Sequence, residues 1–289
     1  NICFFPHLQD IKAFSNEMSR HIKNITLSTQ RSDISGYELI DIVEKYHGIV
    51  IPAHIFTPHK SYYGNCTDRL AYIFKEKLDK IFAVELGLSS DTELADEITE
   101  LETKTFLTNS DAHSLPKIAR EYNKMLVEEI SFQEIVKALK GEDGRKILAN
   151  YGLDPKLGKY HRTYCDDCNQ TIETKEPVEI CPKCGGKNIT FGVFDRIELI
   201  KDKKESKSPA DRPKYIYQVP LSFIPGVGNK VMDKLLTHFG TEMNILHKTT
   251  KDDLEAVVGD KIATAIVKAR EGRAQIQAGG GGVYGKVKE

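Results

Sequence analysis

The sequence predicts an α/β protein followed by a small cysteine-rich module and an all-α C-terminal part. Three observations carry that expectation. Short apolar runs that each end in a polar residue alternate with helical spacing through residues 1–150, a βα pattern that suits a barrel or an open parallel sheet. Two Cys-x-x-Cys pairs come next, between 165 and 184. A Pro-Gly-x-Gly string at 225–228 then opens a region of short helical patterns separated by glycine turns.

Taken in order, Ile2-Cys3-Phe4-Phe5-Pro6 reads as a strand, and because the chain starts inside it at Asn1, further residues are expected before it in the full-length protein. Tyr37 to Tyr46 has helical spacing with Leu39, Ile40 and Val43 on one face, and Gly48 is the expected stop. Ile49 to His54 and Ile81 to Leu86 are strands ending near His54 and Glu85. Asp91 to Glu102 reads as a helix capped by Ser90 or Asp91. Phe106-Leu107-Thr108 is the third strand, and Lys117 to Met125 and Ser131 to Lys140 are the next helices. Residues 151–200 form a compact segment around the cysteines, 201–213 a charged linker with Ser and Pro, 214–275 the helical region, and 276–289 a glycine-rich tail with no capacity to form an element unaided.

Composition narrows the partners. The chain of 289 residues has a formal net charge of −1 and no Trp. Residues 1–139 hold 15 basic against 21 acidic side chains, a net of −6, and residues 140–289 hold 26 against 21, a net of +5. An acidic half suits cations and a basic half suits phosphates, although imbalances of this size also occur on plain solvated surfaces. No apolar run approaches a transmembrane span and no signal peptide stands out, so no membrane partner is expected. Cys3 and Cys66 are isolated and read as buried or free thiols. Without a secretory context the reading is a reduced, cytoplasmic protein.

The densest chemical signal is Phe106-Leu107-Thr108-Asn109-Ser110-Asp111-Ala112-His113-Ser114. An apolar run gives way to a carboxylate and an imidazole two residues apart, which on a strand point to one face. His54, Asp111 and His113 all lie just beyond strand ends, and parallel strands bring such positions together on one face. Two His and one Asp suit a zinc or manganese ion whose bound water becomes a nucleophile near neutral pH. By itself an Asp-x-His pair is a weak signal and more often a pair of turn residues. Glu85 reads either as a supporting or substrate-positioning carboxylate of that site or as a partner for a surface Lys. His59 is a lesser candidate that suits a surface loop, and His7 is ambiguous.

Cys165, Cys168, Cys181 and Cys184 form two knuckles that place four thiolates around a tetrahedral zinc, with Gly185-Gly186 permitting the turn. All four positions are filled by Cys, which makes the role structural rather than catalytic. Gly226, Gly228 and Lys230 match a helix-hairpin-helix turn, in which glycines admit a phosphate to backbone N–H groups at a helix start. Gly259 and Lys261 mark a second, more degenerate hairpin. Paired hairpins grip duplex DNA without reading sequence. A plain helix-packing unit is the bland alternative.

Pro52-Ala53-His54 and Asn109-Ser110-Asp111-Ala112-His113 resemble the later metal motifs of the PHP (polymerase and histidinol phosphatase) superfamily. That resemblance implies a distorted (β/α)7 barrel, here partial, with a site for two or three divalent metals (Zn2+ or Mn2+, with Mg2+ an alternative). The superfamily's opening His-x-His and its middle His and Glu ligands are expected in residues that precede this sequence. A metal phosphoesterase barrel, a four-Cys zinc ribbon and helix-hairpin-helix motifs in this order resemble the endonuclease Q family. The quoted segments are Ile51 to Lys60, Val84 to Thr92, Leu107 to Ser114 and Ala278 to Val287. The resemblance implies metal-dependent hydrolysis of the phosphodiester 5′ of uracil, hypoxanthine or xanthine, or at abasic sites, in double-stranded DNA. It implies a monomeric, nucleoid-associated enzyme, and a sliding clamp is a conceivable partner although no clamp-binding peptide stands out. Asn109 and Ser110 are then candidates for reading the base edge. Phe56, Tyr62 and Tyr63 are candidates for stacking or wedging, with core packing or surface display as the competing readings. The rival functions are another PHP phosphoesterase and a DNA-binding module with a degenerate barrel.

Overall fold

The computed structural model describes residues 1–27 and 31–288. The first part runs β1 (Ile2–Phe4), α1 (Leu8–Met18), α2 (Gly36–Lys45), β2 (Ile49–Ile51), α3 (Leu70–Phe74), β3 (Ala83–Glu85), α4 (Thr92–Ala95), β4 (Thr105–Leu107), β5 (Tyr122–Leu126), α5 (Phe132–Lys140) and β6 (Lys146–Leu153). α2 forms as its spacing predicts, burying Leu39, Ile40 and Val43. Ser35 and Glu38 cap it reciprocally, each side chain accepting the other's backbone N–H. Its stop is one residue earlier than expected. His47 takes the left-handed turn at φ 61°, and Gly48 returns its N–H to the Val43 carbonyl at 2.9 Å.

β1 pairs antiparallel with β2, and β3 pairs parallel with β4, Glu85 standing opposite Leu107. The Glu85 N–H donates to the Pro52 carbonyl at 2.9 Å and the Ile55 N–H to the Glu85 carbonyl at 3.0 Å, tying the end of β2 to β3. β5 and β6 pair antiparallel beyond β4. Ile51, Ala83, Leu107, Leu139 and Ile147 close one apolar cluster across these strands and α5. The larger cluster lies under α2 and α3 and includes Phe56, Tyr63, Phe74 and Phe106.

Two predicted helices are corrected. Over Asp91 to Glu102 only α4 and a short 3-10 turn form, with Asp91 as the cap through a 2.8 Å bond from the Leu94 N–H. Over Lys117 to Met125 the chain makes β5 instead. Tyr122 pairs with Tyr151 of β6, and their rings stack at 4.4 Å. Cross-strand packing outweighs the helical spacing there.

The rest of the chain comprises β7 (Tyr164–Cys165), β8 (Gln170–Thr171), β9 (Ile189–Thr190), α6 (Val193–Ile200), β10 (Lys214–Gln218), α7 (Asn229–Phe239), α8 (Glu242–His247), α9 (Lys251–Val258), α10 (Asp260–Arg270), β11 (Ile276–Gln277) and β12 (Lys286–Val287). β10 pairs parallel with β6, and α6 buries Val193, Ile197 and Ile200 in the main core. The expected boundary at 150 therefore falls inside a strand, and the start of the expected helical region is a strand of the same sheet. The cysteine module sits in the crossover between the two strands.

The linker reading of 201–213 is also corrected. Arg212 forms a buried ion pair with Asp96 at 2.7 Å, their side chains 5% and 0% exposed. Arg212 also reaches the Leu101 carbonyl at 3.0 Å and stacks on the Phe106 ring at 3.7 Å. Ser208 donates to Asp96, and Asp202 accepts the Thr99 N–H at 2.8 Å. Arg212 and Ser208 thus anchor the segment to a buried acid, while Lys204, Glu205, Lys207 and Asp211 face solvent.

Two stability predictions follow from these contacts. Arg212→Ala strands the Asp96 carboxylate in the core and is expected to cost about 3–5 kcal/mol, read from urea unfolding. His161 is buried, with Nδ1 3.3 Å from the Ser89 carbonyl, and burial pushes its pKa down to about 4. The folded state thus resists a proton that the unfolded chain accepts near the ordinary value of 6.5. Its contribution is full above that value and falls as pH drops toward 4, a loss on the order of 2 kcal/mol at pH 5. Burial raises the pKa of Glu121 and Asp154, which works in the opposite direction. The measurement is therefore the difference in melting between wild type and His161→Gln from pH 7.5 to 5, and a constant difference refutes it.

Candidate active site

Asn150 on β6 is fully buried and donates through Nδ2 to the Phe106 carbonyl and to Asn123 Oδ1, both at 2.8 Å. Asn123 on β5 pairs with the backbone of Thr108 as another strand would. Its Oδ1 accepts the Thr108 N–H and its Nδ2 donates to the Thr108 carbonyl, each at 2.9 Å. The same Nδ2 reaches Asn109 Oδ1 at 3.1 Å, and Asn109 Nδ2 donates to Glu85 Oε1 at 2.8 Å. Glu85 Oε2 accepts the His54 N–H at 2.8 Å. One hydrogen-bonded chain thus runs from β6 to His54, three residues past β2, and its members Glu85 and Asn109 line a cavity of about 610 Å³.

His54, Glu85, Asn109, Ser110, Asp111 and His113 all line that cavity. Glu85 is 4% exposed, and burial raises its pKa against the opposing pull of Asn109 and the His54 N–H. His54 Nδ1 is buried without a hydrogen-bond partner. His113 Nδ1 lies 2.7 Å from the Asp111 carbonyl. A carbonyl only accepts, so Nδ1 carries the proton, and the neutral ring keeps its lone pair on Nε2. Asp111 is exposed. An orphaned buried imidazole nitrogen, a second imidazole oriented through its other nitrogen and a free carboxylate fit a divalent metal. The donor atoms are not closed up as a finished shell. Among the described residues, the group of His, Cys, Asp and Glu whose ligand atoms all lie within 4.8 Å of one another is the four cysteines.

Backbone strain marks the same place. His54, His59 and Asp111 have φ of 34°, 67° and 44°, which non-glycine residues rarely adopt. Gly87 lies between them at φ 79°, and a Cβ there would come 2.9 Å from the His54 Cβ. His59, expected on a surface loop, is exposed but lines the cavity. His7 is exposed at the start of α1. Sequence reading missed Lys117, Lys159, Tyr160 and Tyr284, which also line the cavity. Their types carry no metal signal, and they arrive from three separate segments.

The aromatic candidates are corrected. Phe56 and Tyr63 have no exposed surface and stack on each other at 5.2 Å in the core, where the Tyr63 hydroxyl donates to Glu100 at 2.6 Å. Tyr62 is half-buried, packs on Phe74 at 5.0 Å and donates to Asn1 at 3.0 Å. Apolar burial next to the site strand claimed these rings.

The four cysteines converge. Cys165 and Cys184 sulfurs are 3.6 Å apart and those of Cys168 and Cys181 are 3.7 Å apart. Four sulfurs at about 2.3 Å from a tetrahedral zinc stand at nearly these separations. Backbone N–H groups of Cys184 and Lys183 draw the Cys181 thiol down to about 7, while burial and neighbouring thiols push Cys168 up to about 12. Cys165, Ile172 and Cys181 are the fully buried apolar residues of this module, too few to hold it without a metal.

At the C-terminal part, Gly228 and Gly259 precede α7 and α10 with no side-chain cap, and open space lies where a Cβ would stand. Gly226 lies beside Ile262, so the two turns are neighbours. Lys230 and Lys261 are exposed in the first turns of these helices. Asp260, paired with Lys251 at 2.9 Å, makes the second turn less favourable to anions.

No family model matches the chain. It is 50% identical over 288 residues to an uncharacterized protein of Bacillus subtilis, covering 99% of this chain and 73% of that one. It is 39% identical over 252 residues to an uncharacterized protein of Methanocaldococcus jannaschii, covering 80% and 31%. The fold matches the crystal structure of a lesion-specific endonuclease from Pyrococcus furiosus at a TM-score of 0.84 and 35% identity, over 99% of this chain and 74% of that one. It matches an endonuclease Q, bound to a 27-mer duplex substrate with an abasic lesion at the active site, at a TM-score of 0.87 and 34% identity, over 99% and 75%. The class is a mixed α/β fold shared with solved endonucleases, and the chain carries four thiols placed so that they could hold a metal ion. The chain belongs to the endonuclease Q family.

Metal removal tests the cysteine module. A strong chelator, or Cys165→Ser, is expected to abolish amide-exchange protection over residues 164–190 while the main core stays protected. Unchanged protection in metal-free protein would refute a structural metal.

Proposed function

We propose that this protein is a DNA repair endonuclease that hydrolyses the phosphodiester 5′ of a deaminated base, or at an abasic site, in duplex DNA. One observation carries the reading. His54, Glu85, Asp111 and His113 share a cavity in a chain that matches a lesion-specific endonuclease over 99% of its length.

In this reading His54, Asp111 and His113 hold divalent metal in a PHP-type barrel. Such a metal supplies charge neutralisation at the phosphate and acidifies water at neutral pH. Glu85 receives the His54 N–H and the Asn109 amide, so it positions one ligand and one candidate reader together. Asn109 has one amide proton left after its bonds to Glu85 and Asn123, and with Ser110 it is placed to meet the edge of an extruded base. The four-Cys zinc ribbon is a folding element. Gly226, Gly228 and Lys230, with Gly259 and Lys261, form two helix-hairpin-helix turns that receive phosphates at the starts of α7 and α10.

The test uses the full-length protein on a uracil-containing duplex. Nicking 5′ of uracil that falls at least about a thousandfold in Asp111→Asn, with duplex binding retained, is the expected outcome. Nicking that survives in Asp111→Asn refutes the site. Binding without nicking by the wild type favours a DNA-binding module instead.

A further inference from the structure

The glycine-rich segment at 278–287 has no part in the function as proposed, yet it is built with care. It is no free tail. β11 and β12 pair antiparallel, and the turn between them is strapped to the loop after β6. The Gly279 N–H donates to the Lys156 carbonyl and the Gly285 N–H to the Leu157 carbonyl, both at 2.9 Å, and the Gly282 N–H to the Lys159 carbonyl at 3.1 Å. The approach is too close for side chains. A Cβ on Gly279 would stand 2.4 Å from the Gly158 carbonyl oxygen, and one on Gly281 2.4 Å from the Tyr164 ring.

This strap delivers one large side chain, Tyr284, to the wall of the candidate active cavity. The Tyr284 ring meets Phe223 edge-on at 5.3 Å, just before the first glycine hairpin, so it stands between the cavity and that hairpin. Lys159 Nζ lies 4.8 Å and Lys117 Nζ 5.8 Å from its ring centroid. Lys159 belongs to the strapped loop, and Lys117 follows His113 on the other side. A half-buried aromatic face flanked by two ammonium groups is the combination that holds unpaired nucleic acid, the ring taking a base and the cations its phosphates.

We infer that Tyr284 stacks on the base next to the extruded nucleotide, and that Lys117 and Lys159 swing from the ring to the phosphates on either side of it. Tyr284 is thus a positioning residue for the strand to be cut. Phe56, Tyr62 and Tyr63 leave that role open because they are held in the core. The inference rests on the proposed activity, and it gives the backbone hydrogen bonds of the strap a purpose: a stacking ring on a loose tail would lose its advantage to ordering entropy.

The experiment places 2-aminopurine beside a uracil in a duplex and follows its emission with the full-length protein, in parallel with binding and nicking. In Tyr284→Ala affinity is expected to fall roughly five- to hundredfold, the range of lost base–aromatic stacking. The 2-aminopurine quench is expected in wild type and Tyr284→Phe and lost in Tyr284→Ala. Lys117→Ala and Lys159→Ala should each lower the slope of log affinity against log salt by about one. Tyr284→Leu leaves less of a gap than Ala while still removing the π-face, and it replaces the Ala variant if that one unfolds. Wild-type quench and affinity in folded Ala or Leu variants overturn the inference. A wild type that binds and quenches without nicking removes the proposed activity and leaves the stacking role standing.

Discussion

The side-chain amides that join β4 to β5 and β6 are the constraint on which the site depends. A strand that bends away from its neighbour leaves buried N–H and C=O groups, each expensive to abandon. Here Asn123 replaces the missing strand by pairing with both polar groups of Thr108, and buried Asn150 holds Asn123 and the Phe106 carbonyl. Because an amide has two donors and a bifurcating oxygen, the network continues to Asn109 and then to Glu85. The placement of Glu85 and of the His54 backbone is therefore a property of a buried amide network, in which Asn150 Oδ1 is left without a partner. That network also tolerates the left-handed backbone at His54 and Asp111, since strain persists only where surroundings over-determine it.

The C-terminal half is joined to this core at several independent points. β10 extends the sheet beside β6, α6 fills the main core, and Arg212 neutralises Asp96 inside it. Leu153 and Leu157, at the end of β6 and just after it, pack into the apolar cluster of the C-terminal helices. Gln218 of β10 donates to the Arg120 carbonyl at 2.8 Å and lies 2.9 Å from His247 at the end of α8. The hairpin turns thus stand at a set distance from the cavity. The proposed division of labour, with one part gripping a duplex and another cutting it, relies on that geometry being held.

Legibility differed by the range of the interaction involved. α2 and α5 were readable because their apolar positions repeat at helical spacing, a local signal; the caps at Ser35 and Ser131 emerged only in the structure. The cysteine quartet was readable because two short knuckles bring their own ligands. The cavity residues His54, Glu85, Asp111 and His113 were readable as strand-end positions. Lys117 to Met125 misled because a strand held by ring stacking on Tyr151 has the same composition as an amphipathic helix. Phe56 and Tyr63 misled because proximity in sequence to a site strand does not say which face a ring takes.

By itself the sequence determined the α/β class, the four-cysteine quartet, the strand-end carboxylate and imidazoles, and the glycine turns. Those follow from spacing over a few residues and from the chemistry of the side chains. Only the tertiary structure decided that residues 201–213 are pinned to Asp96, that β10 belongs to the first sheet, and that the glycine tail carries Tyr284 to the cavity. Each of those joins segments far apart in the chain. Their partners are chosen by burial and by the pairing of polar groups in three dimensions, which no local pattern records.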